Sequence, residues 1–156
     1  MAHVTRVAVI GCGNLARSDD GVGPHVVRVL SERGLGRDPV VRLLDAGTDG
    51  MAVLQAARGC DRLILIDAVR SGSPAGAVFE LPGGELEDRP PPPMTLHDFR
   101  WEHALFAGRR MYGAAFPADV TVLLVEAASM DFGLDLSPAV ARSAEKVAAR
   151  VESLLR

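Results

Sequence analysis

Four short apolar runs set the terms for this chain: Val7 to Ile10, Val40 to Leu44, Leu63 to Ile66 and Val120 to Val125. Each is strand-length, bounded by turn residues, and rich in β-branched side chains. Their near-continuous apolarity is that of strands covered on both faces. Between the first two, Val22, Val26, Val29 and Leu30 recur at helical spacing and are stopped by Gly34 and Gly36. That makes a βαβ unit. Residues 50–58, closed by Gly59, supply a short helix between the second and third runs, and a second unit follows. Ala77 to Leu81 is a weaker strand. Only the loop Arg70 to Gly76 joins it to its predecessor, so it is expected as a hairpin partner or an antiparallel edge.

The segment Pro82-Gly83-Gly84 and then Pro90 to Pro93 reads as an exposed loop that forms neither helix nor ladder. His97 to Met111 reads as a helix stopped by Gly113. Ser137-Pro138 opens a last helix, with a capping hydroxyl and Pro in the first turn, running to Leu155. With 48% hydrophobic residues in 156, the chain can bury one core and is short for two. The expected architecture is a single domain over residues 1–156, a three-layer α/β/α sandwich on a mostly parallel sheet of about five strands, one of them antiparallel.

A net charge of −3, with no basic run longer than Arg109-Arg110, argues against a nucleic-acid or anionic-membrane footprint. Two cysteines, Cys12 and Cys60, have neither metal-ligand spacing nor the density of a disulfide scaffold, which suits a reducing compartment. No segment reaches bilayer-spanning length and none reads as a signal peptide. A cytoplasmic monomer is expected.

Gly11-Cys12-Gly13-Asn14-Leu15-Ala16 follows a strand and satisfies G-x-G-x-x-A, so a dinucleotide fingerprint competes for this loop. That motif needs its helix to start within the glycine turn, whereas here Arg17 to Pro24 delays it and adds Asp19 and Asp20 where a phosphate would sit. One aspartate, Asp19, suffices to cap the delayed helix. Asp20 is then available for another task. In open α/β sheets, ligands gather beyond the carboxyl ends of the strands, and three such ends carry acids: Asp20 in the first loop, Asp45 after Leu44 and Asp67 after Ile66. His97, at the start of the helix after the proline loop, can lean over the same rim. Carboxylates with one imidazole form a mixed oxygen and nitrogen set suited to nickel or zinc. Neither a G-x-S-x-G elbow nor an H-E-x-x-H helix is present, and Cys12 reads as a small packing residue, so covalent catalysis is disfavoured.

Five ordered patches, Gly11-Cys12-Gly13-Asn14, Asp19-Asp20-Gly21-Val22-Gly23, Leu44-Asp45-Ala46-Gly47-Thr48, Ile66-Asp67-Ala68 and Thr95-Leu96-His97-Asp98, together resemble the hydrogenase maturation endopeptidases. The resemblance extends to Val125-Glu126 and Leu136-Ser137-Pro138. It implies removal of a C-terminal extension from the precursor of a nickel–iron hydrogenase large subunit, with Asp20, Asp67 and His97 contacting nickel that belongs to the substrate. No organic cofactor is implied. The general base is left between Asp45 and Asp20, and Asp20, Asp45 and Asp67 form the expected catalytic set. The segment Phe99 to Leu105 departs from the small, Gly-containing helix start usual in that family. Two other readings stay open: a non-catalytic nickel-dependent chaperone or checkpoint for the same precursor, and a Rossmann-like nucleotide-binding protein. Trp101, Phe106, Met111 and Tyr112 would form a docking patch if exposed.

Overall fold

The computed structural model describes residues 3–88, 90–91 and 99–156. Five strands, β1 (Val7–Cys12), β2 (Val41–Gly47), β3 (Arg62–Val69), β4 (Val78–Pro82) and β5 (Asp119–Glu126), form one sheet in the order β2-β1-β3-β5-β4. All neighbouring pairs are parallel except β4 with β5. Among the described residues five α-helices complete it: α1 (Val22–Glu32), α2 (Gly50–Ala57), α3 (Gly83–Glu87), α4 (Trp101–Tyr112) and α5 (Pro138–Leu154).

The continuous apolar runs have the expected cause. On one face, Ala8, Ile10, Leu63 and Leu65 pack with residues of α2 and α4. On the other, Val9, Ile64, Ile66 and Leu123 pack with α1 and α5. Both faces of the sheet are therefore covered, giving three layers. Leu63 to Ile66 are wholly buried, each contributing about 2 kcal/mol of burial free energy, which pins β3 and with it the acid that follows.

Of the two roles expected for Ala77 to Leu81 one is observed, and three other expectations need correction. Ala77 to Leu81 is an antiparallel edge but not a hairpin partner of its predecessor. The 70–76 loop passes the carboxyl end of β5, and Gly76 N–H to Glu126 O and Glu126 N–H to Ala77 O, both 2.8 Å, dock it there. Pro82-Gly83-Gly84 is not irregular: Pro82 ends the edge strand, where its missing N–H is tolerated, and Gly83 starts α3. The helix expected from His97 is observed from Trp101; residues 92–98, His97 among them, lie outside the described residues. Ser137 is the residue preceding α5, but its hydroxyl makes no capping bond to that helix and instead donates to Asp19.

The strand order reverses at β1. The chain leaves β1 toward β2 on one side and returns to β3 on the other, so a crevice opens between the ends of β1 and β3. Crevices at such switch points are where open α/β sheets hold ligands.

Candidate active site

Adjacent aspartates in the loop after β1 point to different tasks. Asp19 is fully buried. Its carboxylate accepts from Ser137 N (2.7 Å), Ala128 N (2.8 Å), Ser129 N (3.1 Å) and Ser137 Oγ (2.9 Å). Burial would raise its pKa, but the backbone bonds from Ser137, Ser129 and Ala128 outweigh that and hold the carboxyl below its ordinary value. It does not cap α1, whose preceding residue Gly21 offers no side-chain cap. Instead it ties the first loop to the segment between β5 and α5. Asp20 turns the other way and accepts from Asn14 N at 2.9 Å, its one hydrogen-bond donor among the described residues.

Asp20 and Asp67 line one pocket at the switch point, together with Cys12, Gly13, Arg100 and Trp101. The β1–β3 ladder stops at Gly11 opposite Ile66, whereas β3 stays paired with β5 as far as Val69. Asp67 thus sits inside a strand yet faces the gap that β1 leaves open. Its Oδ1 accepts from Ala68 N at 2.7 Å and its Oδ2 from the Trp101 indole N–H at 2.8 Å. Burial pushes the Asp67 pKa up to about 7, a rise reinforced by the charges of Asp20 and Glu102 and opposed by the two donated hydrogen bonds.

Glycines make the approach possible. At Gly13, with φ of 134°, a Cβ would stand 1.8 Å from the Asp20 carbonyl oxygen and 3.4 Å from Asp67 Oδ1. A side chain there would push the two acids apart. At Gly23, a Cβ would meet Ile66 O at 2.4 Å and Cys12 O at 2.5 Å, so the first turn of α1 lies directly on the strand ends. The space a pyrophosphate needs at a helix N-terminus is taken by backbone, which counts against the nucleotide reading.

The other predicted residues divide. Asp45 lies in β2, where alternation puts Leu44 and Ala46 with the α2/α4 layer and Leu43 with the α1/α5 layer. Asp45 follows Leu43, is exposed, and accepts from Gly47 N at 2.9 Å. It lines an adjoining cleft that shares Gly13, Gly47 and Thr48 with the Asp20/Asp67 pocket. Cys12 is buried, and desolvation, with the charges of Asp67, Glu102 and Asp45, pushes its thiol far above the ordinary range. It is no nucleophile at neutral pH. Among the described residues no group of three His, Cys, Asp or Glu side chains is assembled for a metal, and His97 is not among them. The fourth strand-end acid, Glu126, is committed to the amide and hydroxyl of Ser71.

Residues 24–154 match the family described as hydrogenase maturation protease. The chain belongs to the hydrogenase maturation protease family. The Hydrogenase 2 maturation protease of Escherichia coli (strain K12) is 30% identical over 152 residues, covering 97% of this chain and 91% of that one. The Hydrogenase expression/formation protein HoxM of Azotobacter vinelandii is 31% identical over 156 residues, covering 96% and 69%. The solved structure of the hydrogenase maturating endopeptidase HybD from E. coli superposes with a TM-score of 0.81 at 26% identity, over 97% of this chain and 93% of that one. This maturation protease is accordingly a peptidase, with the mixed-sheet fold of its structural relatives.

Two features of the protease site escape sequence reasoning. Trp101, a docking-patch residue only if exposed, is 7% exposed and holds Asp67. That patch does not form: Arg110 lies over Phe106 and Arg58 over Tyr112, both part-buried, leaving Met111 exposed. The second is the role of Asp19. The only sequence signal for either was circumstantial: a sole tryptophan at the start of the post-His97 helix, and two acids where one cap would do.

Proposed function

We propose that this maturation protease removes the C-terminal extension of a nickel-loaded hydrogenase large-subunit precursor, and that nickel arrives as part of that substrate. The observation that carries the reading is the convergence of Asp20 and Asp67 on one switch-point pocket that Gly13 leaves open. Family membership supplies the reaction, peptide hydrolysis.

In this reading Asp20, Asp67 and His97 contact the nickel, two hard oxygen donors and one imidazole being a set that nickel accepts. Trp101 and Ala68 fix the Asp67 carboxylate in one orientation, so the cation meets a preorganised ligand. Water attacks the scissile carbonyl carbon and gives its proton to a carboxylate, the C–N bond breaks, and the proton passes to the leaving amine. Asp20 is assigned that base, because Asp45 projects toward the other face of the sheet. The adjoining cleft carrying Asp45 is assigned the path of the substrate chain. No thiolate enters the mechanism, in keeping with the buried Cys12. The enzyme is proposed to act as a cytoplasmic monomer, with no nucleic-acid or membrane partner; no helix among the described residues is long and apolar enough to cross a membrane.

The test is the intact mass of nickel-loaded and nickel-free precursor after incubation with wild type, Asp20→Asn, Asp67→Asn and His97→Ala. Loss of the extension only from loaded precursor and only with wild type is expected. Normal processing by all three variants would remove the site from the mechanism. An unchanged mass with tight wild-type binding would replace the protease reading with that of a checkpoint.

A further inference from the structure

Exposed apolar side chains are unevenly distributed over this molecule. Among the described residues seven large ones stand exposed: Val4, Leu15, Met51, Val78, Met111, Phe132 and Leu134. Leu15 follows β1, Met51 opens α2, Val78 begins β4 opposite Val125, and Phe132 and Leu134 lie between β5 and α5. Five of the seven thus sit at the carboxyl edge of the parallel strands, the edge that holds Asp20 and Asp67. Scattered apolar exposure needs no explanation, but concentration around a catalytic cleft does.

Phe132 and Leu134 are the extreme cases, 80% and 81% exposed, and they are not on a loose loop. Ser18 N–H donates to Gly133 O (2.8 Å), Gly133 N–H to Ala16 O (2.9 Å), and Ser18 Oγ to Asp131 O (2.8 Å), a short bridge between the two loops. Asp19, fully buried, clamps both ends of the segment through Ala128, Ser129 and Ser137. Arg17 stacks on the Phe132 ring with its guanidinium carbon 4.3 Å from the centroid. An apolar pair is therefore held out to solvent by a braced support, and a preorganised surface of that kind loses little entropy on binding. The brace is continuous with the catalytic loop, since the residue after Asp19 is Asp20.

We infer that Leu15, Phe132 and Leu134 form a docking surface for an apolar patch of the hydrogenase large-subunit precursor, seating it so that its metal-bearing end reaches Asp20 and Asp67. The occupant is set by continuity. The loop that carries Leu15 and Asp20 is hydrogen-bonded to the loop that carries Phe132 and Leu134, so a protein substrate engaging Asp20 has this surface directly beside it. This inference rests on the proposed function.

The experiment uses full-length protein and the nickel-loaded large-subunit precursor from the same organism, purified with its extension intact. The variant Phe132→Ser/Leu134→Ser is compared with wild type and with Met111→Ser, an exposed apolar position at the opposite end of the sheet. Expected is a KM for the precursor raised tenfold or more in the pair variant, with kcat within twofold of wild type and an unchanged unfolding midpoint. Met111→Ser should match wild type in both constants. Phe132→Tyr, which keeps the ring, should restore much of the KM in combination with native Leu134. A pair variant with wild-type KM overturns the docking surface while leaving the protease reading intact. If wild type itself neither binds nor trims the precursor, the proposed function fails and the docking surface with it. A wild-type dimer in sedimentation that the pair substitution disperses would overturn it in favour of a contact between copies of this chain.

Discussion

Asp67→Asn should make the protein less sensitive to alkali while abolishing its activity. The folded-state pKa of Asp67 is raised to about 7 from an ordinary 3.8, chiefly by burial. A carboxyl with a raised folded pKa binds its proton more tightly in the native state. Its contribution to stability is therefore fully present below the unfolded pKa and is lost as pH rises through the folded one. Linkage over that interval gives a loss of about 2–3 kcal/mol from this group between pH 5 and pH 8. Asparagine cannot ionise and removes that slope. It also turns an amide N–H₂ toward one of the two donors, Ala68 N–H or Trp101 N–H, a fixed cost of roughly 1–3 kcal/mol that does not vary with pH. Absolute stability is thus a poor readout and its pH dependence a good one. Urea unfolding of wild type and Asp67→Asn at pH 5, 6.5 and 8 should show the variant gaining on wild type by about 2–3 kcal/mol from the lowest pH to the highest. A stability difference that stays constant across the three would refute the claim that Asp67 is buried with an elevated pKa.

Trp101→Phe keeps most of the packing but deletes the indole donor. A hydrogen bond to a charged group is worth about 1.5–3 kcal/mol, so the Asp67 pKa should climb by roughly one to two units in a carboxyl-carbon NMR titration. Asp19→Ala leaves the Ala128, Ser129 and Ser137 donors without their acceptor and should lower stability by about 3 kcal/mol or more by urea unfolding, whereas Asp20→Asn should stay within about 1 kcal/mol of wild type and yet fail to process precursor. Gly13→Ala should fold with a displaced first loop and lose processing, because its Cβ falls 1.8 Å from the Asp20 carbonyl oxygen; a crystal structure and a mass assay check the two halves.

The layers of this fold are legible because burial on both faces forces continuous apolarity, and Leu63 to Ile66 show it directly. Strand ends are less legible. The apolar run stops at Ile66, but β3 continues to Val69 because pairing depends on the backbone of β5, to which hydropathy is blind. The same blindness turned Pro82-Gly83-Gly84 into a loop, although an edge position tolerates proline. Within the site, the convergence of Asp20 and Asp67 follows from the rule for strand ends. That rule does not say which face of the sheet each acid serves, and the bond from Trp101 to Asp67 spans two elements far apart in sequence. Asp45 and Asp67 look alike as acids following leucine or isoleucine, and the register of alternation in β2 separates them.

Strand β4 and helix α4 both fall between β3 and β5 in the chain, although β3 and β5 are neighbours in the sheet. The β1–β3 ladder closes residues 13–61 and the β3–β5 ladder closes residues 70–118, loops of equal length, so closure entropy alone sets no order between them. Order along the chain does set one during synthesis: β1, β2 and β3 emerge before β5, so their unit is expected to form first. Asp67 is then in place on its strand before Trp101 arrives to hold it. A chain emerging during synthesis would carry Asp20 and Asp67 early and gain the Trp101 bond that orients Asp67 only when the second half of the domain packs on.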